Sequence, residues 1–455
     1  MLKFIDLFAG LGGFHVGLEQ LGMECVFASE LNKELRELYH SNYGLAEEMI
    51  QGDIRNVDEK DIPAHSLLCA GFPCQPFSKA GAQEGLSDEV RGNLFYQIMR
   101  IINEHKPSFV ILENVANLLK HDNHNTWAVI KKTLRDAGYE VDHKILSPHQ
   151  FGVPQLRQRM FIVAAREDQG GLSHFSWPEP ESHTHMSVRS IVEENPDTAD
   201  IRPLGERELD ALAIWQKFLD CLPPDAPLPS FPIWATEYDA TYPFETQVPE
   251  MLFAKELGTF KGVFGQSLAG LSAPEQEKYI PTYARGELLF PKWKQQFIRD
   301  NRAFFQKYKD ELKDVMEEIK TLPFSWQKFE WNCKGEVRKL DQLILQFRPS
   351  GIRVKRANFF PALVASTRTQ VPAIGWLKRY ITPNEGIALQ SLGKIALPAN
   401  NTAAFKALGN AVNAEVVKRV AARLVSVSDP TQKPQPVQQR IVFASTSSII
   451  NLVTA

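Results

Sequence analysis

Disulfide spacing, membrane spans and a strong charge of one sign are all missing from this 455-residue chain. The five cysteines, Cys25, Cys69, Cys74, Cys221 and Cys333, are odd in number and scattered, and no two have CxxC spacing. That pattern argues against a disulfide framework and against a zinc site, so no metal is expected, and it leaves a single reactive thiol open. No apolar run approaches the ~20 residues that a bilayer crossing needs. The N-terminus does not read as a signal peptide: Lys3 is soon followed by Asp6, and Phe4–Phe8 reads as a strand. The expectation is a cytoplasmic protein with no membrane contact. The formal net charge is −3, so any nucleic-acid partner has to be argued from a local basic patch. What is present, 44% hydrophobic and 23% charged residues, is ordinary for a globular chain. The length suggests two or three domains.

The first 165 residues alternate short apolar runs with helical patterns. Strands are predicted at Phe4–Phe8, Cys25–Ser29, Ser66–Ala70, Phe109–Leu112 and Met160–Ala164. Helices are predicted at Gly13–Leu21, Lys33–Tyr43, Leu94–His105 and Thr126–Ala137. Such alternation points to an α/β fold with a doubly wound, mostly parallel sheet. After Trp177 the character changes. Residues 178–250 are proline-rich, and Pro291–Thr321 reads as one or two charged amphipathic helices. Helical patterns return at Pro383–Leu392 and Ala411–Leu424, before a tail with Pro430, Pro434 and Pro436. The organisation is a first domain, a large insert and a return.

Strand one runs into Phe8-Ala9-Gly10-Leu11-Gly12-Gly13 and then a helix. Glycines here let the backbone turn tightly and approach a ligand. A plain tight turn or a dinucleotide site would share this feature, although Gly10-x-Gly12-Gly13 lacks the full GxGxxG fingerprint. Glu30 ends the second strand, where a carboxylate can accept from both hydroxyls of a ribose. Gly52-Asp53-Ile54 ends a third, pairing an acceptor for an adenine amino group with an apolar wall. Each acid alone could be a surface residue; on successive strand ends they favour an adenosine-containing cofactor.

Cys74 sits in Gly71-Phe72-Pro73-Cys74-Gln75-Pro76, just past an apolar strand and between two prolines. A structural cysteine normally lies within an apolar run, as Cys69 does. The thiolate is the nucleophilic form, so an active site here must favour it. Glu113 ends the apolar strand Phe109–Leu112, where desolvation would raise its pKa and make it a proton donor. A capping or surface Glu is the bland alternative. Gln155, Arg157 and Arg159 alternate and so share one face, suited to an anionic site, or they are simply solvated. Late in the chain, Gln346–Arg379 carries Arg348, Arg353, Lys355, Arg356, Arg368, Lys378 and Arg379 with no acidic residue, interleaved with Phe347, Phe359, Phe360 and Trp376. Such a patch can neutralise phosphates and read guanine edges.

In this order the blocks FIDLFAGLGGF (Phe4–Phe14), Glu30, GDI (Gly52–Ile54), GFPCQPFS (Gly71–Ser78), RGNLF (Arg91–Phe95), ENV (Glu113–Val115), QLRQR (Gln155–Arg159), RYITPNEGIALQ (Arg379–Gln390) and GNAV (Gly409–Val412) resemble the DNA cytosine-5 methyltransferase family, in particular bacterial type II restriction-modification methyltransferases. The resemblance is dense over the first 165 residues and sparser over 379–424. It implies a Rossmann-like S-adenosylmethionine-dependent domain with a mixed, mostly parallel sheet and a smaller inserted target-recognition domain. Its implied layout is a catalytic domain over 1–185, target recognition over 186–376, a hinge over 377–407, a return over 408–427 and an extension over 428–455. Phe8, Gly10, Gly12, Gly13, Glu30, Asp53, Ile54, Leu94 and Asn410 would bind the cofactor. Cys74 would attack, and Glu113, Arg157 and Arg159 would hold and activate the base. Gln75, Ser78, Arg348, Arg353, Lys355 and Arg356 would touch double-stranded DNA.

The implied reaction adds a methyl group to carbon 5 of a flipped-out cytosine through a covalent Cys74 adduct. The implied setting is a monomer protecting host DNA from a cognate restriction endonuclease. Methylation of tRNA cytosine, or a catalytically silent DNA-binding regulator, are the alternatives, and a nicotinamide-dependent oxidoreductase is more distant. Two positions depart from the family pattern: Ser391-Leu392-Gly393 replaces a Gly-Phe-Pro-like turn, and Asn413 stands where proline commonly follows GNAV. The family's Thr-Leu pair would fall near Ala362-Leu363, and Arg348-Pro349-Ser350-Gly351 resembles a recognition loop.

Overall fold

The computed structural model describes residues 1–73, 94–181, 186–364 and 370–426. Cys74, Gln75, Ser78, Arg368 and the tail after Ser428 lie outside them. In the first domain the strands are β1 (Lys3–Leu7), β2 (Glu24–Ser29), β3 (Ile50–Gln51), β4 (Leu67–Ala70), β5 (Phe109–Val115), β6 (Tyr139–Leu146), β7 (Gln155–Leu156) and β8 (Arg159–Arg166). The helices between them are α1 (Gly13–Glu19), α2 (Lys33–Tyr43), α3 (Leu94–His105) and α4 (Asn125–Asp136).

Among the described residues one sheet has the order β3-β2-β1-β4-β5-β8-β6. Its pairings are parallel except those of β8, which runs against both β5 and β6. The mixed, mostly parallel α/β expectation holds. The central strands read as continuous apolar runs because both faces are covered. On one face α3 buries Phe95, Ile98, Met99, Ile101 and Ile102, each contributing roughly 1.5–3 kcal/mol. On the other, α1 meets the last described helix. Ideal Cβ atoms on Gly13 and Gly17 would lie 2.1 Å from the Val412 carbonyl oxygen and 2.7 Å from that of Ala414. Only glycine allows that approach, and it brings the Val412–Ala414 segment back onto the first helix.

The insert adds α5 (Glu206–Cys221), α6 (Lys292–Lys307) and α7 (Lys309–Thr321). It also adds β9 (Ile233–Trp234), β10 (Lys328–Asn332), β11 (Ile344–Arg348), β12 (Gly351–Lys355), β13 (Phe360–Pro361), β14 (Ala373–Ile374) and β15 (Arg379–Tyr380). A second sheet runs β15-β14-β11-β12-β10-β9. The charged stretch expected as one or two helices is two, α6 and α7. The Arg348–Gly351 segment is the tight turn of the β11–β12 hairpin, since those two residues face each other across it. The sheet's apolar face, with Phe329, Ile352, Val354 and Phe347, forms one core with α5 and α7.

That core continues into α8 (Pro383–Gln390) and α9 (Asn401–Asn410) through Ile387, Leu389 and Leu408. The hinge segment is therefore packed on the insert. A buried ion pair, Arg379 Nη2 to Glu385 Oε1 at 2.7 Å, and the Thr382–Glu385 capping box fix its start. α10 (Ala414–Val425) is the last helix of the described residues. Asn413, in place of the family's proline, caps it by accepting from the Val416 amide at 3.1 Å and donates to the Leu389 carbonyl at 3.0 Å. It thus provides a helix start by a hydrogen bond instead of a fixed φ. Ser391, with φ 56, ends α8 in the left-handed region.

Candidate active site

The sheet order changes direction between β1 and β4, and an open α/β sheet takes its ligands at such a switch point, off the carboxyl ends of the strands. A cavity of about 840 Å³ lies there, lined by residues from several strand ends and by helix residues such as Ala403 and Asn410.

Phe8, Gly10, Glu30, Asp53 and Ile54 line one part. Phe8 and Gly10 both have positive φ, 58 and 55, so the chain doubles back directly after β1. Glu30 holds this turn, accepting from the Gly10 amide at 2.9 Å and from the Asn32 amide at 2.8 Å. Each carboxylate oxygen keeps a further lone pair for a ligand. Asp53 accepts from Arg55 Nε at 2.9 Å, and this hydrogen bonding holds its carboxyl below its ordinary pKa. It is thus an ionised acceptor at neutral pH. Leu94 and Asn410 complete the wall.

Gly12 and Gly13 do not line the cavity. Gly13 faces Val412, as above. Gly12, with φ 75, lies under the Tyr43 ring, 2.4 Å from where a Cβ would stand. Tyr43 in turn donates to the Leu11 carbonyl at 2.6 Å and stacks on His15. These two glycines shape the loop from behind, by close approach of the backbone to its support.

Glu113, Asn114, Arg157 and Arg159 line the other part, with Gly71, Phe72 and Pro73 leading to Cys74. Glu113 is only 7% exposed, and burial pushes its carboxyl pKa up, against the opposing pull of Arg159 and Arg157. Arg159 Nε stands 3.1 Å from Glu113 Oε1. This contact is an ion pair without hydrogen-bond alignment: Oε1 takes no hydrogen bond from the described residues. A buried carboxyl with an unused oxygen on a cavity wall can deliver or accept a proton there.

Arg157 does something the sequence does not announce. It is 3% exposed and donates to the carbonyls of Leu363 at 2.9 Å, Gly409 at 2.9 Å and Ala411 at 3.0 Å. It clips the insert and the returning chain to the cavity. Burial lowers its pKa, while the three acceptors favour the charged form. Arg157→Met should strand three buried carbonyls and cost about 3 kcal/mol or more. That cost would show as a lower urea midpoint with an unchanged slope.

Asn114 is the residue to which the sequence assigned no role. Its Nδ2 donates to the Phe72 carbonyl at 2.8 Å, two residues before Cys74, and its Oδ1 accepts from the Val115 amide at 2.8 Å. It ties the approach to the thiol onto the end of β5. An amide closing a fully apolar strand was the available signal. Arg348, Arg353, Lys355 and Arg356 lie away from the cavity, on and beyond β11 and β12 of the insert. β13 links them to it by pairing Phe360 and Pro361 with Gln155 and Leu156 of β7.

A family model for the C-5 cytosine-specific DNA methylase matches residues 2–211. The type II methyltransferase M.AluI of Cellulosimicrobium cellulans is 31% identical over 97% of this chain and 95% of its own length. The type II methyltransferase M.HhaI of Haemophilus parahaemolyticus is 47% identical over 39% of this chain, and the match spans about half, 53%, of that relative. A solved E. coli prophage protein described as a DNA modification methyltransferase shares the fold, at TM-score 0.50 and 17% identity, over 94% of this chain and 99% of its own. Identity sustained along nearly the whole length of one relative, over a cavity carrying the expected strand-end residues, places the chain in the C-5 cytosine-specific DNA methylase family.

Proposed function

We propose that the chain is a type II, S-adenosylmethionine-dependent methyltransferase that modifies carbon 5 of one cytosine within a short site in double-stranded DNA. The observation that supports this most is the continuity of one cavity from Glu30 and Asp53 to Glu113 and Arg159. A methyl donor and an acceptor base can meet within it.

The donor's wall fits an adenosine. Glu30 has lone pairs for ribose hydroxyls, Asp53 is an ionised acceptor for an amino group, and Phe8 and Ile54 supply apolar contact. S-adenosylmethionine bound there supplies an electrophilic methyl group. At the other end Cys74, as thiolate, adds to carbon 6 of the cytosine. Glu113 gives a proton to ring nitrogen 3, so that negative charge does not build up on the ring. Arg159 keeps the carboxyl placed. Carbon 5 is then nucleophilic. After methylation a base removes the carbon 5 proton, the carbon–sulfur bond breaks to return the thiolate, and ring nitrogen 3 gives its proton back to Glu113. The reacting carbon is unreachable inside a duplex, so the cytosine is flipped out at a cost of a few kcal/mol.

The basic face of the insert recognises the DNA, and the modification protects it from a partner endonuclease in the bacterial cytoplasm. The enzyme acts as a monomer. No helix among the described residues is long and apolar enough to cross a membrane. Bisulfite sequencing of DNA from a host expressing the chain tests this reading. Protected cytosines should share one short sequence. Unmodified DNA, or modification confined to RNA, would overturn it.

A further inference from the structure

The solvent side of the insert's sheet carries a carboxylate among three cations. In register, Glu330 of β10 lies beside Arg353 of β12, and Arg353 beside Gln346 of β11. Arg348 lies at the hairpin's end, and Lys355 follows Arg353 on the same face. Arg353 Nε donates to Glu330 Oε2 at 2.6 Å, and Arg348 Nη1 reaches Glu330 Oε1 at 3.2 Å. The terminal nitrogens of Arg353, Nη1 and Nη2, meet no acceptor among the described residues. The Glu330 side chain is 14% exposed and that of Arg353 is 28%, so the anchor is covered and the free fork is accessible.

We infer that Glu330 is a positioning residue which fixes Arg353 so that its Nη1–Nη2 edge reads one guanine of the target site in the major groove. The inference deepens the proposed function and rests on it. Two parallel N–H groups match guanine O6 and N7, and a fork must be held in plane to discriminate. A phosphate is the other planar acceptor. Placing a carboxylate against the arginine weakens its attraction for an anion, but leaves intact its match to the neutral acceptors of guanine. Arg348 and Lys355 leave the face with a net positive charge, so attraction to the backbone is retained. Burial, and then crowding by like charges, lowers the pKa of both of these cations; a face so arranged gains when acceptors arrive. The position is suitable. Five residues after Lys355 the chain enters β13, which pairs with β7 directly before Arg157.

The test uses the full chain, short duplexes carrying its own methylation site, and 7-deazaguanine placed at each guanine in turn, which removes N7. The wild type should lose on the order of tenfold in kcat/KM, through KM, at one guanine. Arg353→Lys keeps the charge and loses the fork. It should lower kcat/KM on the natural site by about tenfold to a hundredfold, with kcat and the salt dependence little changed, and should no longer respond to 7-deazaguanine at that position. Glu330→Gln should move the same readouts in the same direction with an unchanged melting temperature. If that variant does not fold, Arg353→Lys decides alone. Wild-type KM and wild-type sensitivity in Arg353→Lys, or in a folded Glu330→Gln, overturn the inference. A wild type that methylates no DNA overturns the proposed reaction itself, a failure visible before any variant is made.

Discussion

Cys74→Ser should lose methyl transfer by roughly 10⁴-fold or more, the scale on which removing a nucleophile acts, while still binding S-adenosylmethionine. A serine hydroxyl is not ionised near neutral pH and does not replace a thiolate as attacking group. The Glu30 carboxylate, with Gly10 and Asn32, is held by β1, β2 and their turns. Calorimetry with the cofactor should therefore give a dissociation constant near that of the wild type. A second readout separates a lost nucleophile from a damaged loop. DNA with 5-fluorocytosine at the target has no proton to release from carbon 5, so the wild type should stall as a covalent complex that survives denaturing electrophoresis. The serine variant should form none. Wild-type turnover by the variant would remove Cys74 from the mechanism.

Glu113→Gln should lower kcat by about 10²- to 10⁴-fold, the usual contribution of a positioned acid. The amide keeps the shape and cannot give up a proton to ring nitrogen 3. The pH profile carries the more particular expectation. Burial raises the Glu113 pKa in the folded chain, so the protonated, active form persists to higher pH than for a free carboxyl. Wild-type activity should then fall as pH rises through that raised value, and the variant's residual activity should lack this limb. The same shift sets the sign of the stability effect. A carboxyl whose folded pKa is raised adds stability that is fully present below its unfolded pKa, about 4.3, and lost as pH rises through the folded value. Above the raised folded value the ionised group opposes folding, so Glu113→Gln should melt no lower than the wild type there. A variant that keeps the wild-type pH limb would assign the proton to another group.

The part of the cavity formed by Phe8, Glu30 and Asp53 was legible because each of these residues sits at the end of an apolar run, and run, turn and acid are adjacent in sequence. Glu113 was legible for the same reason. β6 was not anticipated: Tyr139–Leu146 alternates buried and exposed residues at the sheet's edge, so it lacks the apolar run that marks the inner strands. α5 was hidden within a proline-rich stretch, and β9, β13, β14 and β15 are two residues each, too short for any period to register. The role of Arg157 was beyond reach for a different reason. Its partners are main-chain oxygens more than 200 positions away, and a carbonyl leaves no mark in the sequence. Gly12 and Gly13 were singled out as backbone positions, and the close approaches they permit within the chain are to Tyr43 and Val412.

That clip at Arg157 also bears on how such a chain can change over generations. Because it holds Leu363, Gly409 and Ala411 by their carbonyls, it places no demand on which side chains stand there. The β7–β13 pairing is equally indifferent, being backbone to backbone. At these backbone contacts the insert can vary in sequence without losing the hydrogen bonds that hold it, whereas its shared apolar core with α8 and α9 still constrains side chains. Apolar replacements of Leu363 that keep the volume of its buried side chain should accordingly leave this hydrogen bond intact, whereas any replacement of Arg157 removes it.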